Sequence, residues 1–317
     1  MEKGSSSPPS NASLRWAILR QAFLSPPPLP SNTDEPSQID ALERISRKSG
    51  GGFNLIPHRL LNGHFSERSS GDESRDVFVQ YSLPVGRALD LTLIQRIDNC
   101  IDLNDFEISS RYDIDSTGLV CCWPSEDVLA YFCLTNSELF RGKRVLELGS
   151  GYGLAGLAIA ACTDAQKVVI SDGNPEVINY VQRSIDFNAG VFRETEVKSM
   201  SLHWNQEQPS DVQNTFDIIV ASDCTFFKKF HKRLALTVKS LLKYSETSEA
   251  IFLSPRRGDS LEKFIKEIEA NNLHLSVIEN YNVDIWNLHL KFLNGGDTSW
   301  PNYDMDHCYP LLVKISF

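Results

Sequence analysis

The chain is short of several things that would point elsewhere. Its longest apolar runs, such as Ile218-Ile219-Val220-Ala221 and Val168-Val169-Ile170, fall far below the ~18 residues of a bilayer span. No apolar leader follows Met1-Glu2-Lys3-Gly4, which runs directly into serine and proline, so the chain is expected in the cytosol or nucleus. Positive charge is in deficit: 31 basic against 41 acidic residues leave a net charge of -10. That balance disfavours binding nucleic acid by bulk phosphate attraction, and neither nucleic acid nor membrane is an expected partner. The seven cysteines (100, 121, 122, 133, 162, 224, 308) are odd in number and contain no C-x-x-C pair, which supports neither a disulfide framework nor a zinc site. They read as reduced thiols in or near the core, and no metal is expected.

What is present is ordinary globular composition, 41% hydrophobic and 23% charged over 317 residues, enough for one sizeable core and an appendage. Seven of the 15 prolines lie within the first 36 residues among many serines, so residues 1–38 are expected to be largely disordered. One exception is Ser13 to Leu24, where Leu14, Trp16, Ile18, Leu19 and Phe23 recur at near-helical spacing and predict a short docking helix. A smaller N-terminal α+β module is expected over 39–120, with strand-like Val77 to Tyr81 and Leu89 to Leu93 and extended segments continuing to about Ile114.

From residue 121 to 317 the rhythm is α/β. Pro124 suits a first helical turn, and Glu126 and Asp127 suit its dipole. Strands over Val145–Leu148, Val168–Ser171, Phe216–Ala221 and Ala250–Leu253 alternate with helices over 153–162, 175–188, 231–243 and 259–270. This predicts a parallel sheet covered on both faces. His274–Tyr281 and Tyr309–Phe317 then read as two strands without that rhythm, an antiparallel pair closing one edge.

The strongest local signal is Glu147-Leu148-Gly149-Ser150-Gly151-Tyr152-Gly153-Leu154-Ala155-Gly156, between a strand and its helix. Glycines there allow a tight turn and close approach of a ligand in the crevice beyond the strand ends. Asp172 ends the next strand, placed to accept hydrogen bonds from ribose hydroxyls. Both features predict an adenosine-type cofactor. The turn leaves its identity open, because Gly151 to Gly156 also fits the G-x-G-x-x-G dinucleotide pattern and hence a nicotinamide-dependent oxidoreductase. Glu147 argues against a pyrophosphate beside it; it can orient loop amides or meet the cationic amino-acid end of S-adenosylmethionine.

The segment Glu147-x-Gly149-x-Gly151-x-Gly153 resembles motif I of the seven-strand class I methyltransferases, whose core is Rossmann-like. With Trp123, Asp172, Leu202-His203-Trp204 and Asp223-Cys224-Thr225-Phe226, the chain is similar to the lysine-methyltransferase branch, family 16. Trp123-Pro124-Ser125-Glu126, Pro255-Arg256-Arg257-Gly258 and Tyr309-Pro310-Leu311-Leu312 carry the likeness along the chain.

The resemblance implies S-adenosyl-L-methionine as cofactor, with Trp123 and the turn Gly149, Ser150, Gly151, Gly153 at its methionine end. It further implies Glu147 and Asn174 in the cofactor set, Asp172 on the ribose, Trp204 beside the adenine and Ala221 lining the floor through its backbone. Asp223 would face the transferable methyl and orient the lysine ammonium, with Phe226 and Phe227 walling its tunnel. The branch often has tyrosine where Phe226 stands, so a phenolic hydroxyl plays no part here. It also implies calmodulin as substrate, methylated to trimethyl-lysine. Lys228, Lys229, Arg256 and Arg257, expected on the rim, would suit that acidic protein.

Other readings stand beside these. Asp172 and Asp223 could merely cap the segments after them, with Asn174 an N-cap before Pro175, and Trp123 and Trp204 alone would read as core aromatics. Cys224, without an evident activating base, reads as an inert small apolar residue rather than a nucleophile. The alternatives for the whole chain are methylation of another protein lysine, or a cofactor-binding but inactive scaffold.

Overall fold

The computed structural model describes residues 51–61, 76–84, 89–96 and 103–317. The expected disordered start and the helix over 13–24 lie outside them. The described cysteines are free, and among the described residues no helix is long and apolar enough to cross a membrane.

Strands β1 (His58–Leu60), β2 (Asp76–Leu83) and β3 (Leu89–Arg96) form an antiparallel sheet in that order. In β2 the buried residues Val77, Val79, Tyr81 and Leu83 alternate with more exposed ones, so a single face meets the core. Six consecutive residues of β3 are buried because its other face is covered too. Residues 103–112, expected to be extended, instead form helix α1 (Leu103–Tyr112). Its anchor is polar: Asp105, 2% exposed, pairs with Arg96 of β3 at 2.8 Å. An apolar stripe was therefore not there to be read. Helices α2 (Thr117–Val120) and α3 (Pro124–Thr135) follow.

The larger sheet comprises β4 (Arg144–Leu148), β5 (Lys167–Asp172), β6 (Glu196–Ser201), β7 (Ile218–Ser222), β8 (Glu249–Ser254), β9 (His274–Ile278) and β10 (Leu311–Ser316). Their spatial order is β6-β5-β4-β7-β8-β10-β9. Neighbours are parallel from β6 to β8, while β10 runs antiparallel to both β8 and β9. This is the seven-strand class I methyltransferase arrangement expected from the sequence. Its helices are α4 (Leu154–Cys162), α5 (Pro175–Phe187), α6 (His231–Leu241), α7 (Ser260–Ala270), α8 (Val283–Leu293) and α9 (Met305–Cys308).

Further departures from the expectation lie in the larger sheet and its helices. Strand β6 was not foreseen because Glu196-Val197-Lys198-Ser199-Met200-Ser201 is a half-exposed edge that needs no apolar run. Between β9 and β10, where no helix was expected, α8 begins at Asn282, whose Oδ1 accepts from the amides of Asp284 and Ile285.

The chain leaves β4 on one side toward β5 and β6, then crosses to β7 on the other, so the loops after β4 and β7 diverge and open a crevice at the carboxyl ends of the strands. Helix α4 lies close against the sheet floor: a Cβ on Gly156 would stand 2.5 Å from Glu147 Oε2 and 2.6 Å from Ile170. The small sheet docks through α5, where Ser184 Oγ accepts from the Ile94 amide at 2.9 Å. Asn188 takes both backbone groups of Thr92, accepting from its amide at 2.9 Å and donating to its carbonyl at 2.6 Å. One hydrophobic core joins the two sheets, and the segment between β3 and α3 is thereby brought to the crevice mouth.

Candidate active site

The turn after β4 reverses sharply at Gly149 (φ 58°) and Gly151 (φ 52°). A Cβ on Gly149 would stand 2.7 Å from Cys224 Sγ and 3.3 Å from Trp204, so only glycine keeps this side of the crevice open. The amide of Ser150 donates to the Ser171 carbonyl at 3.0 Å, and that of Gly151 to Asp172 Oδ2 at 3.2 Å. Asp172 Oδ1 accepts from the Asn174 amide at 2.8 Å. Each oxygen of Asp172 thus has one named backbone donor and lone-pair capacity left for a ligand hydroxyl. Burial pushes its carboxyl up to about 6 against those donors.

The crevice is open to solvent and, counted with the solvent at its mouth, spans about 970 Å³. Asp113, Ile114, Asp115, Thr117, Gly118 and Cys121 form one wall, and Leu202, His203, Trp204 and Asn205 another. Ser222, Asp223, Cys224, Phe226, Phe227 and Phe230 line the far end. Of the residues expected from sequence, Trp123, Gly149, Ser150, Gly151, Asp172, Trp204, Asp223 and Phe226 all line it.

Others stand behind the lining. Gly153 (φ 78°) caps α4. Glu147, 1% exposed, turns its Oε2 to the Gly156 amide at 2.9 Å, taking the loop-ordering role rather than the ligand-facing one. Burial pushes its carboxyl well above the ordinary range, and the charge of Glu126 adds to the effect. Asn174 caps α5, its side chain accepting from Glu176, and Ala221 is fully buried in β7 with Ser222 at the surface of the crevice instead. The side chains of Glu147 and Asn174 thus meet backbone amides of the protein itself, behind the residues that line the crevice.

Between Glu147 and Glu126, the glutamate that lines the crevice is Glu126, which accepts from the Leu154 amide at 3.3 Å and is pushed up to about 7 by burial. It was visible in sequence, where it read only as a helix-dipole acid. His203 was also passed over. Its ring stacks on Tyr112 at 5.2 Å, burial lowers its pKa, and its buried Nδ1 has no hydrogen-bond partner among the described residues. Asp115 and Thr117 come from a segment whose chemistry has no motif, and only tertiary docking places them.

At the far end, Trp123 and Phe226 have ring centroids 6.0 Å apart, and Phe226 and Phe227 4.6 Å apart. Phe226 is 40% exposed, at the mouth. Asp223 occupies a left-handed backbone conformation (φ 53°) with its side chain buried. Burial raises its carboxyl above the ordinary range, and the charge of Arg257 opposes this.

The rim differs from expectation. Arg257 is inside: its side chain is 9% exposed and its Nη2 lies 2.6 Å from Asp223 Oδ1, because the carboxylate and two aromatic rings replace its water. The remaining cations are half-exposed and each is matched by a carboxylate of the chain itself. Lys228 pairs with Asp259, Lys229 with Asp113 at 2.9 Å, and Arg256 with Glu262 at 3.4 Å.

Comparison with known proteins agrees with this architecture. A family profile described as lysine methyltransferase matches residues 106–271. Calmodulin-lysine N-methyltransferase of Arabidopsis thaliana is 58% identical over 307 residues, covering 97% of each chain. Protein-lysine N-methyltransferase EEF2KMT of Mus musculus is 23% identical, covering 64% of this chain and 59% of its own. Protein N-lysine methyltransferase METTL21A of Danio rerio is 29% identical over 46% of this chain and 65% of its own. A crevice built on motif I in a seven-strand sheet, a profile match over half of the chain and near-complete alignment with one relative lead to one conclusion: the chain belongs to the lysine methyltransferase family.

Proposed function

We propose that this protein transfers methyl groups from S-adenosylmethionine to the side-chain amine of a lysine in calmodulin, ending at trimethyl-lysine. The observation that carries the reading is a single crevice with two differently built ends. One is a glycine turn with an acid on the neighbouring strand, and the other a buried carboxylate ringed by aromatics. The relative aligned over 97% of the chain supports calmodulin as the substrate.

The residues present fit the cofactor. Asp172 has acceptor capacity for the ribose hydroxyls, and the cradle at Gly149 would be filled by any Cβ. Glu126 suits the cationic amino-acid end, while Trp204 and the orphaned Nδ1 of His203 suit the adenine. When bound, the cofactor supplies a methyl on a positively charged sulfur; the lysine nitrogen takes it as the carbon–sulfur bond breaks and sulfur keeps the electron pair.

The protein's own task is narrower. A free lysine has a pKa of about 10.4, so near neutrality few side chains carry the lone pair that attacks. The amine must lose its proton to water, enter in line and be held there, and such positioning supplies much of the acceleration. Phe226, Phe227 and Trp123 border the Asp223 end, and their ring faces attract the methylated ammonium as methyl groups accumulate.

Mass spectrometry of bacterially made, unmethylated calmodulin incubated with the protein and S-adenosylmethionine tests this. Stepwise methylene increments on one lysine peptide, absent with Asp172→Ala, are expected. Cofactor binding without any increment would favour another protein lysine or an inactive scaffold.

A further inference from the structure

A buried carboxylate facing the acceptor nitrogen creates a chemical difficulty. An opposite charge within a few ångströms favours the protonated form of an amine, and the effect grows as water is excluded. Asp223 alone would therefore grip the target lysine as ammonium, the form without a lone pair. In this protein Asp223 is never alone, because the guanidinium of Arg257 lies 2.6 Å from its Oδ1 with both side chains nearly out of solvent.

The placement of Arg257 is built from several sides. Its Cζ sits 4.7 Å from the ring of Trp123 and 4.9 Å from that of Phe226, both of which line the crevice. Its backbone is left-handed (φ 48°), followed by Gly258 at φ 67°. The β8–α7 loop is fastened there by α9: the Arg257 amide donates to the Asp306 carbonyl at 2.8 Å, and the Gly258 amide to Asp306 Oδ2 at 2.6 Å. The adjacent Arg256 turns outward to Glu262 and stays half-exposed. Two neighbouring arginines thus have opposite fates, and desolvating the inner one is tolerable only because charge and ring faces replace its water. Ser125 of α3 also stands beside the carboxylate, its hydroxyl and amide favouring the ionised form together with Arg257, and no well-directed hydrogen bond closes on either oxygen among the described residues, so lone pairs stay available to a ligand N–H.

We propose that Arg257 is a positioning residue that makes the Asp223 end of the crevice electrically neutral, so that the acceptor lysine is held there as the free amine rather than as ammonium. The ammonium gives its proton to water at the mouth. In the first two transfers an N–H of the amine then donates to Asp223 while the nitrogen lone pair points along the crevice; the dimethylamine of the third has no N–H and is held by the ring faces of Trp123 and Phe226 instead. Arg257 keeps Asp223 ionised, so the carboxylate accepts that hydrogen bond without taking the proton back. Among the described residues, the other titratable groups around the pair are Cys224 on the same loop, Asp306 and Cys308 on α9, Glu126 on α3, Glu147 on β4 and Asp172 on β5. All are anionic or neutral, which leaves Arg257 as the cation of this end.

This rests on the proposed methyl transfer to calmodulin, and the experiment separates the two. The full-length wild type, Arg257→Gln and Arg257→Lys are assayed on unmethylated calmodulin from pH 6.5 to 9.5, with cofactor affinity measured calorimetrically. The Asp223 carboxyl is followed by carbon-13 NMR across the same variants. For Arg257→Gln, kcat at pH 7.5 should fall about tenfold or more and recover in base, the acid limb moving up by about one pH unit. KM should be unchanged or lower, cofactor affinity should stay within about threefold, and Asp223 should take up its proton at higher pH than in the wild type. Arg257→Lys, which keeps the charge but not the planar fork, should restore the limb at reduced kcat.

An unmoved limb, or an Asp223 titration identical in wild type and Arg257→Gln, overturns the proposal. So does a rise in kcat with a fall in KM, which would make Arg257 a placeholder that the substrate evicts. If wild type leaves calmodulin unmodified, the substrate reading fails, while the Asp223 titration still decides the electrostatic role of Arg257.

Discussion

At the scale of single residues, the crevice is kept open by an absence of side chain. Gly149→Ala would put a methyl within 2.7 Å of Cys224 Sγ at a φ of 58°, a left-handed conformation that costs an L-residue about 1 kcal/mol before the clash is counted. Cofactor affinity measured by calorimetry should drop about tenfold or more. Gly190→Ala, with nothing within 4 Å, should leave it unchanged. Glu147 offers a complementary case, because its work is to receive the Gly156 amide and burial opposes its charge. Glu147→Gln should keep cofactor affinity within about threefold. Glu147→Ala, which strands a buried amide, should cost ~1–3 kcal/mol of stability in denaturant unfolding. Motif I was readable because the glycines must be glycine; the direction in which Glu147 points was not, since strand register alone does not say whether a side chain faces ligand or helix.

At the scale of elements, the small sheet reaches the crevice through Asn188. Its amide side chain substitutes for a neighbouring strand at Thr92, while Ser184 does the same at Ile94. Asn188→Ala leaves a buried N–H and C=O of β3 without those partners. It should lower unfolding free energy by ~1–3 kcal/mol, and Asn188→Asp, which keeps only the acceptor, should recover part of it. Elements driven by apolar periodicity were legible within a residue or two. The predicted helix over 175–188 is α5 at Pro175–Phe187, and the predicted helix over 259–270 is α7 at Ser260–Ala270. Those held by polar anchors were not. Helix α1 depends on Asp105 meeting Arg96, and β6 depends on the open edge of β5. The pairing of β9 with β10 was foreseen, whereas α8 between them was not.

At the scale of the molecule, buried carboxyls set a pH dependence, Asp172 and Glu126 in the crevice and Asp127 under the Leu55 and Ile56 amides. Burial raises Asp172 and Asp127 to about 6 and Glu126 to about 7. Between ordinary carboxylate values near 4 and these, the folded protein binds more protons than the unfolded chain, so this contribution to stability is present at low pH and lost as pH rises through the window. His203, His231 and His289 act oppositely: burial lowers each, so they charge more readily once unfolded, and stability falls as pH drops below about 6.5. The cofactor-free protein should therefore have its highest thermal midpoint below pH 6 and lose it as these carboxyls ionise. Solvent in the crevice moderates the shifts, so the loss by pH 7.5 should be about 2–4 °C by thermal scanning.

The sequence by itself determined the α/β order, the motif I turn, Asp172 at the end of β5 and Asp223 beyond β7. These follow from local rules: apolar runs of strand length, helical spacing and glycine where no Cβ fits. The tertiary structure decided which charges meet. Arg257, on the rim by sequence, is turned inward onto Asp223; Lys229 closes on Asp113 across the crevice; Glu126 rather than Glu147 lines the crevice. Burial and charge pairing depend on distances between segments 30 to more than 100 residues apart, and only the packed sheet fixes them.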